Sequence, residues 1–396
     1  MFVPQDGSVA LPMMFLLLVL WGSWPACRKM GGSGNIEFEM VYVLIQFAVS
    51  TVLCASFGMA AAEDVEHFDN SILTDVLANE LQQKPGAVAL SVLAGVFLCI
   101  GDFVMACAID LLGVTIACPL GFGIPLTIGS SINYAIEPKA NPLLLFPGVL
   151  CCLCGMLLDT ASHANRKEDV VTVSPPASRT CQQNTCGATV QSGPVALQKQ
   201  PGDESTPIEF VANACYEEDR GKTPWNWRVL LVPILGGSCL CTTGPICTAA
   251  GALGGLDPYI IQCALMVGQI CTVLPMLSIY AVIAKPDSLV ASSASQIPFA
   301  ILKHVFAFIQ KAPRSCFWNA MAGVCTGTGW FLFQVGTPVV SRAVGFIFGC
   351  SSPLTCVFYG VFIFHELRGQ PLRAKLCSSF AAFFFGAALA LMSFAS

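Results

Sequence analysis

The sequence predicts an all-α membrane protein of ten transmembrane helices, arranged as two inverted five-helix repeats. Three observations carry this expectation. The 396 residues are 55% hydrophobic and only 11% charged, whereas soluble domains carry roughly 25% charged residues. Apolar runs long enough to cross a bilayer recur ten times. One long polar stretch separates the first five runs from the second five.

The runs must be helical, because an open strand would leave backbone groups unpaired in lipid. In chain order they span residues 10–27, 39–62, 87–109, 112–134, 142–160, 228–250, 258–283, 315–335, 339–362 and 374–395. The first has no basic stretch before it and no small-residue cleavage site after it, so it is expected to stay as a spanning helix. Pro119, Pro125, Pro233, Pro245 and Pro353 fall inside later runs, where the carbonyls they free must face protein or a cavity. Residues 161–227 are rich in Ser, Pro, Gln and charge, the composition of a disordered linker. The expected organisation is a first repeat over 1–160, a cytosolic linker over 161–227 and a second repeat over 228–396.

The halves echo one another. "PLTIGSSINYAIEPKANPL" from Pro125 and "PLTCVFYGVFIFHELRGQPL" from Pro353 both run from Pro-Leu-Thr through a Tyr-bearing apolar stretch to a Glu, then to a Pro-Leu opening the next run. "WGS" at Trp21 to Ser23 is matched more weakly by "GGS" at Gly236 to Ser238. With an odd number of helices per copy the second must insert upside down, the recurring build of secondary transporters. Of the 19 Lys and Arg, only Lys84, Lys139 and Arg342 lie outside the odd-numbered loops. The positive-inside rule therefore puts the linker in the cytosol and both termini outside.

Enzyme signatures are scarce: no nucleophile, base and orienting group gather in one region, so no enzyme is expected. Gly221-Lys222-Thr223 resembles the end of a phosphate-binding loop, but Tyr216 stands where its first glycine belongs. Thr223 capping the sixth helix, with Pro224 in its first turn, fits better. A net charge of −5 gives no basic face for nucleic acid. Most of the 21 cysteines sit in apolar runs, where cysteine acts as a small hydrophobe, and no metal or cofactor site is expected of them.

Asp102 is the sharpest candidate. An Asp at a helix centre costs roughly 2.5–3.5 kcal/mol on insertion scales, and Gly101 beside it lets another helix approach. A carboxyl stripped of water there can take up and release a proton during transport. The competing reading is an Asp that only ties helices together. Asp110, near Gly113 at the end of the run, reads as a boundary residue meeting interfacial water. Glu137 and Glu366 end corresponding runs and read as loop-orienting partners for Lys139 and Arg368. Arg342, just inside the ninth run, either snorkels to the interface or pairs with a buried carboxylate; snorkelling is favoured.

"WGSWP" closes the first run. Trp21 and Trp24 share a face and form either an aromatic belt or a stacking surface for a planar solute. Thr115, Thr127, Ser130, Ser131, Asn133 and Tyr134 line the fourth run with uncharged polar groups. They suit a neutral, hydrogen-bonding solute, or serve as polar glue between helices.

Together "WGSWP", the Gly101-Asp102 pair, "LLGVTIA" at 111–117, "IGSSINY" at 128–134, "LFPGV" at 145–149 and "FHELRG" at 364–369 resemble the plant-type ureide permeases. The resemblance covers the first half well and the second thinly. It implies a ten-helix carrier of the drug/metabolite transporter superfamily type that moves allantoin, uracil or related oxo-heterocycles with protons. The family's Gly-Asp carries over to Gly101 and Asp102 and its Trp-Pro to Trp24 and Pro25. Its cytosolic loop bears a phosphate-loop-like motif, of which only Gly221-Lys222-Thr223 remains here. The expected partners are a small-molecule solute, a proton and the lipid bilayer, with a homodimer left open and the plasma membrane as default location. A sugar carrier of the same superfamily, or a non-transporting receptor or scaffold, remain the alternatives.

Overall fold

The computed structural model describes residues 4, 6–60, 79–164, 227–284, 296–363 and 367–395, and among them every regular element is a helix. The first three are α1 (Gly7–Gly31), α2 (Asn35–Ala60) and α3 (Pro85–Leu112). The fourth, α4, runs over Val114–Ile124, the π-helical turn Pro125–Gly129 and Ser130–Ile136, and is followed by α5 (Pro142–Ala164). Next come α6 (Trp227–Thr248, extended by the π turn Ala249–Leu253), α7 (Pro258–Ala284), α8 (Ile297–Lys311) and α9 (Pro313–Val340). Last are α10 (Arg342–Cys350, then Pro353–Phe358 and the π turn Tyr359–Ile363) and α11 (Leu372–Ala395).

Local chemistry sets the ends. The Asp6 carboxylate accepts from the Ser8 N–H at 2.9 Å and caps α1. Gly32, at φ +58°, ends it in the left-handed conformation that glycine adopts without strain. Prolines open α3, α5, α7 and α9, positions where the missing N–H would have had no partner.

Eight described helices are long and apolar enough to cross a membrane, and the protein is a multi-pass integral membrane protein. They coincide with eight of the ten expected runs. The other two runs fall on α4 and α9. In α4 the π turn at Pro125 leaves pieces of 11, 5 and 7 residues. The Thr127 hydroxyl donates to the Gly123 carbonyl at 2.8 Å there, satisfying an acceptor inside the irregular stretch. The 28 residues of α9 are diluted by buried Asn319, Thr326, Gln334 and Thr337.

Two features differ from expectation. The ninth run is not continuous, since α10 breaks at Ser351 and Ser352. The helix α8 was not anticipated, because its 15 residues fall below spanning length. It buries Ile297, Ile301 and Val305 and exposes Phe299, Leu302 and Phe306. The linker's residues 165–226, with Thr223 and Pro224, and Glu366 lie outside the described residues.

The largest helix contacts come in exchange-related sets. α1 packs on α9 as α6 packs on α3; α2 packs on α9 as α7 packs on α3; α10 packs on α1 as α4 packs on α6. α2 and α7 pack on each other, as do α5 and α11. At the α3–α7 crossing the backbones nearly touch. A Cβ on Gly95 would lie 1.9 Å from the Leu265 carbonyl oxygen, and one on Gly268 2.0 Å from that of Val92.

The joints correspond as well. α3 and α9 each have 28 residues and are followed by one residue at positive φ before the next helix turns back. That residue is Gly113 at +77° in one case and Ser341 at +96° in the other. Ser341 is the sole non-glycine at positive φ among the described residues, and its buried hydroxyl has no hydrogen-bond partner there. Such a conformation stores roughly 1–3 kcal/mol in a residue with a Cβ. Ser341→Gly should therefore raise the thermal midpoint of the detergent-solubilised protein, by about 1 kcal/mol after glycine's extra chain entropy is set against the relief. Ser341→Ala also removes the unpaired hydroxyl but keeps a Cβ at positive φ, so its gain should fall short of that of Ser341→Gly.

Candidate functional site

Asn35, Glu39, Tyr42, Gln46 and Ser50 recur along α2 at steps of four, three, four and four residues, which places them on one face of the helix. All five are buried. Polar groups sealed from water are expected to be hydrogen-bonded, and the helices packed on this face supply most of the partners.

From α3, Asp102 accepts a hydrogen bond from the Tyr42 hydroxyl at 2.9 Å. From α7, the Gln269 amide donates to the Gln46 side-chain oxygen at 3.1 Å, and the Gln262 amide donates to the Ser50 hydroxyl at 3.0 Å. From α9, the Gly327 carbonyl accepts from Ser50 at 3.4 Å. From α1, Arg28 donates one Nη2 to Asn35 and to Asp110, the latter at 2.6 Å. Glu39 is the exception: neither carboxyl oxygen has a hydrogen-bond partner among the described residues.

An aromatic wall stands beside the stripe. Phe38 and Tyr42 stack with centroids 5.3 Å apart, and Trp24 approaches both, at 6.3 and 6.1 Å. The Arg28 guanidinium lies 4.4 Å from the centre of the Phe38 ring, a cation–π distance. The same end of the bundle carries the Glu37–His304 pair at 2.6 Å, which ties α8 to the first turn of α2.

The opposite end has its own buried cation. Arg342 is 4% exposed and does not snorkel. Its Nη1 donates to the Cys247 carbonyl at 3.3 Å and to Gln334 at 3.4 Å, and its Nε lies 3.7 Å from Glu137. The helices around α10 enclose the start of that element, where every residue from Arg342 to Cys350 is buried. Glu137 also pairs with Lys139 at 2.6 Å.

The residues singled out from sequence fall into separate places. Asp102 is buried on the α2 face, and Gly101 lets α6 approach: a Cβ there would lie 3.1 Å from the Leu240 backbone nitrogen. Trp24 belongs to the aromatic wall. Trp21 instead packs between Trp330 at 4.7 Å and Phe333 at 6.0 Å, so both indoles face protein. Thr127 bonds its own helix. Asn133 accepts from Thr248 of α6 at 2.6 Å, and Tyr134 packs edge-on to Phe146. These three fourth-run residues bond or pack away from the α2 stripe. Thr115 lies in the first turn of α4, and its side chain is outside the described residues.

Sequence reading missed Glu39, Tyr42, Gln46 and Arg28. The signal for the first three was present in the helical spacing from Asn35 to Ser50. A run beginning at residue 39 leaves out Asn35 and puts Glu39 at a membrane boundary, so the stripe loses its first turn. Asp110 is half-exposed, as a boundary residue should be, but its partner is the buried Arg28.

The stretch from Glu39 through the Asp102 region into the linker is also where similarity to known proteins lies. Residues 39–214 match the ureide permease family model. That part of the chain is similar to the ureide permeases. Over 172 residues it is 30% identical to ureide permease 4 of Arabidopsis thaliana, covering 43% of this chain and 42% of that protein. It is 23% identical over 173 residues to ureide permease 2 of the same plant, covering 43% and 42%. It is 26% identical over 158 residues to probable ureide permease A3 of Vigna unguiculata, covering 39% and 40%. The matches thus span about two fifths of the length of these curated relatives. The matched residues 39–214 include Glu39, Tyr42, Gln46, Ser50 and Asp102 but not "WGSWP", Arg28 or "FHELRG".

Two measurements test the geometry. Tyr42→Phe removes the donor to a buried carboxyl and should cost about 1–3 kcal/mol of stability, read as a lower unfolding midpoint in detergent. The hydrogen bond to Glu37 holds the His304 imidazole above its ordinary value, against the opposing effect of partial burial. A raised histidine contributes stability that is full below the unfolded value of about 6.5 and is lost as pH rises through the raised value. The melting difference between wild type and His304→Gln should therefore be largest near pH 6 and shrink towards pH 9.

Proposed function

We propose that the protein is a secondary carrier for small neutral nitrogen compounds of the ureide type, including allantoin, uracil and related oxo-heterocycles. The observation that carries this reading is the buried polar face of α2, set with Asp102 inside an apolar bundle, in a chain whose residues 39–214 match the ureide permeases. Polar and ionisable groups held inside a membrane bundle are expensive and mark solute or ion pathways. Amide, hydroxyl and carboxyl groups beside flat aromatic rings suit a planar solute rich in carbonyl and N–H groups.

The eight apolar helices, with α4 and α9 added, make ten spans in two groups of five. The exchange-related packing and the matched joints at Gly113 and Ser341 support a duplicated build. Five spans per copy make the copies inverted, with residues 1–160 and 228–396 as the repeats and the cytosolic linker between. The α2–α7 contact, which carries the Gln46–Gln269 and Ser50–Gln262 bonds, is then the meeting of equivalent helices across the pseudo-axis. Solute crosses there by alternating access, and Asp102 is the carboxyl that couples the movement to protons.

Uptake of labelled allantoin, uracil, xanthine and glucose into cells expressing the protein, at pH 5.5 and 7.5, tests the reading. The nitrogen heterocycles should accumulate, more at the lower pH, and glucose should not. Asp102→Asn should reach the membrane yet lose at least tenfold of the concentrative, pH-dependent component. Uptake unchanged across pH in that variant would sink the coupling role, and accumulation of glucose alone would replace the solute class.

A further inference from the structure

We propose that Arg28 and Glu39 form a recognition edge for a solute that carries a carbonyl beside an N–H, as amides and ureides do. The proposal rests on the carrier reading above and names the groups that select its solute.

Two neighbouring buried side chains, Arg28 and Glu39, keep polar atoms unbonded. The two turns of α2 flanking Glu39 are satisfied, Asn35 by Arg28 and Tyr42 by Asp102. Glu39, on the turn between them, is fully buried and has neither carboxyl oxygen bonded among the described residues. Arg28 is 3% exposed and uses Nη2 for Asn35 and Asp110, while its Nε and Nη1 have no hydrogen-bond partner there. Two donors and two acceptors therefore lie buried and unused in one region, and the two side chains do not bond each other. They are within electrostatic range of one another, with Asp102 the other charged group close to Glu39.

Their chemistry is complementary to one class of solute. The guanidinium is a donor only, so its free Nε and Nη1 N–H groups take carbonyl oxygens. A carboxyl keeps an acceptor oxygen whether ionised or protonated, so Glu39 takes an N–H in either state. A solute with carbonyls alone would satisfy Arg28 and leave Glu39 wanting; one with both groups on adjacent atoms fills both. Sites built to hydrogen-bond a group reject analogues lacking it strongly, because buried partners are then left unpaired. The Phe38 ring under Arg28 and the neighbouring Tyr42 favour a flat molecule.

The test uses the full-length protein in detergent, with uracil and 1,3-dimethyluracil as probes. Both have the same ring and carbonyls, but the second has no N–H. Thermal stabilisation by each probe is titrated for wild type, Glu39→Leu and Arg28→Lys. Wild type should respond to uracil at concentrations at least tenfold below those needed for 1,3-dimethyluracil. Glu39→Leu should melt at or above wild type without solute, since it removes an unsatisfied buried carboxyl, and should lose that discrimination. Arg28→Lys should weaken the response to both probes by at least tenfold. A Glu39→Leu protein that keeps the discrimination, or that melts well below wild type without solute, would overturn the recognition edge and leave the carrier reading standing. A wild type that neither responds to nor takes up uracil or allantoin would overturn the carrier reading, and the recognition edge with it.

Discussion

Water is absent from the interior of a membrane bundle, so every polar side chain placed there must be answered by another part of the protein. In this chain the demand is concentrated on one face of α2. The neighbours that answer it are α1 through Arg28, α3 through Asp102, α7 through Gln262 and Gln269, and α9 through Gly327. Four helices are thereby held in register about a fifth. The close α3–α7 approach at Gly95 and Gly268 brings two of those neighbours together beside α2. Gln46, Gln262 and Gln269 each keep one side-chain atom unbonded among the described residues, and Glu39 is the member of the face whose side chain is left wholly unanswered.

The distribution of charge follows the same constraint. One buried arginine sits at each end of the bundle, Arg28 with Asp110 and Arg342 with Glu137. Between them the stripe changes to uncharged amides and hydroxyls. The two arginines join different parts of the chain: Arg28 holds Asn35 and Asp110, all within the first half, whereas Arg342 in the second half reaches Glu137 in the first.

How much of this could be read from sequence depended on the range of the interaction. Asp102 stood out because a carboxylate within an apolar run is anomalous on its own. Helix identity was legible from apolar length, and α8 was not, because a 15-residue amphipathic segment gives no signal of that kind. The α2 stripe was legible in principle from its spacing, yet a boundary drawn four residues late hid its first turn. Arg28–Asp110 and Arg342–Glu137 pair residues 82 and 205 positions apart, respectively, and no local pattern announces them. A cation at the start of an apolar run looks the same in sequence whether lipid headgroups or other helices surround it, which is why snorkelling was expected of Arg342.

The central claim is that solute is bound at the unsatisfied turn of α2, between Arg28, Glu39 and the aromatic wall. An experimental density map of the full-length protein with uracil bound tests it most directly. The account predicts ring density stacked near Phe38 and Tyr42, with a carbonyl towards Arg28 and an N–H towards Glu39. Density for uracil elsewhere in the bundle, with Glu39 still unbonded, would contradict it.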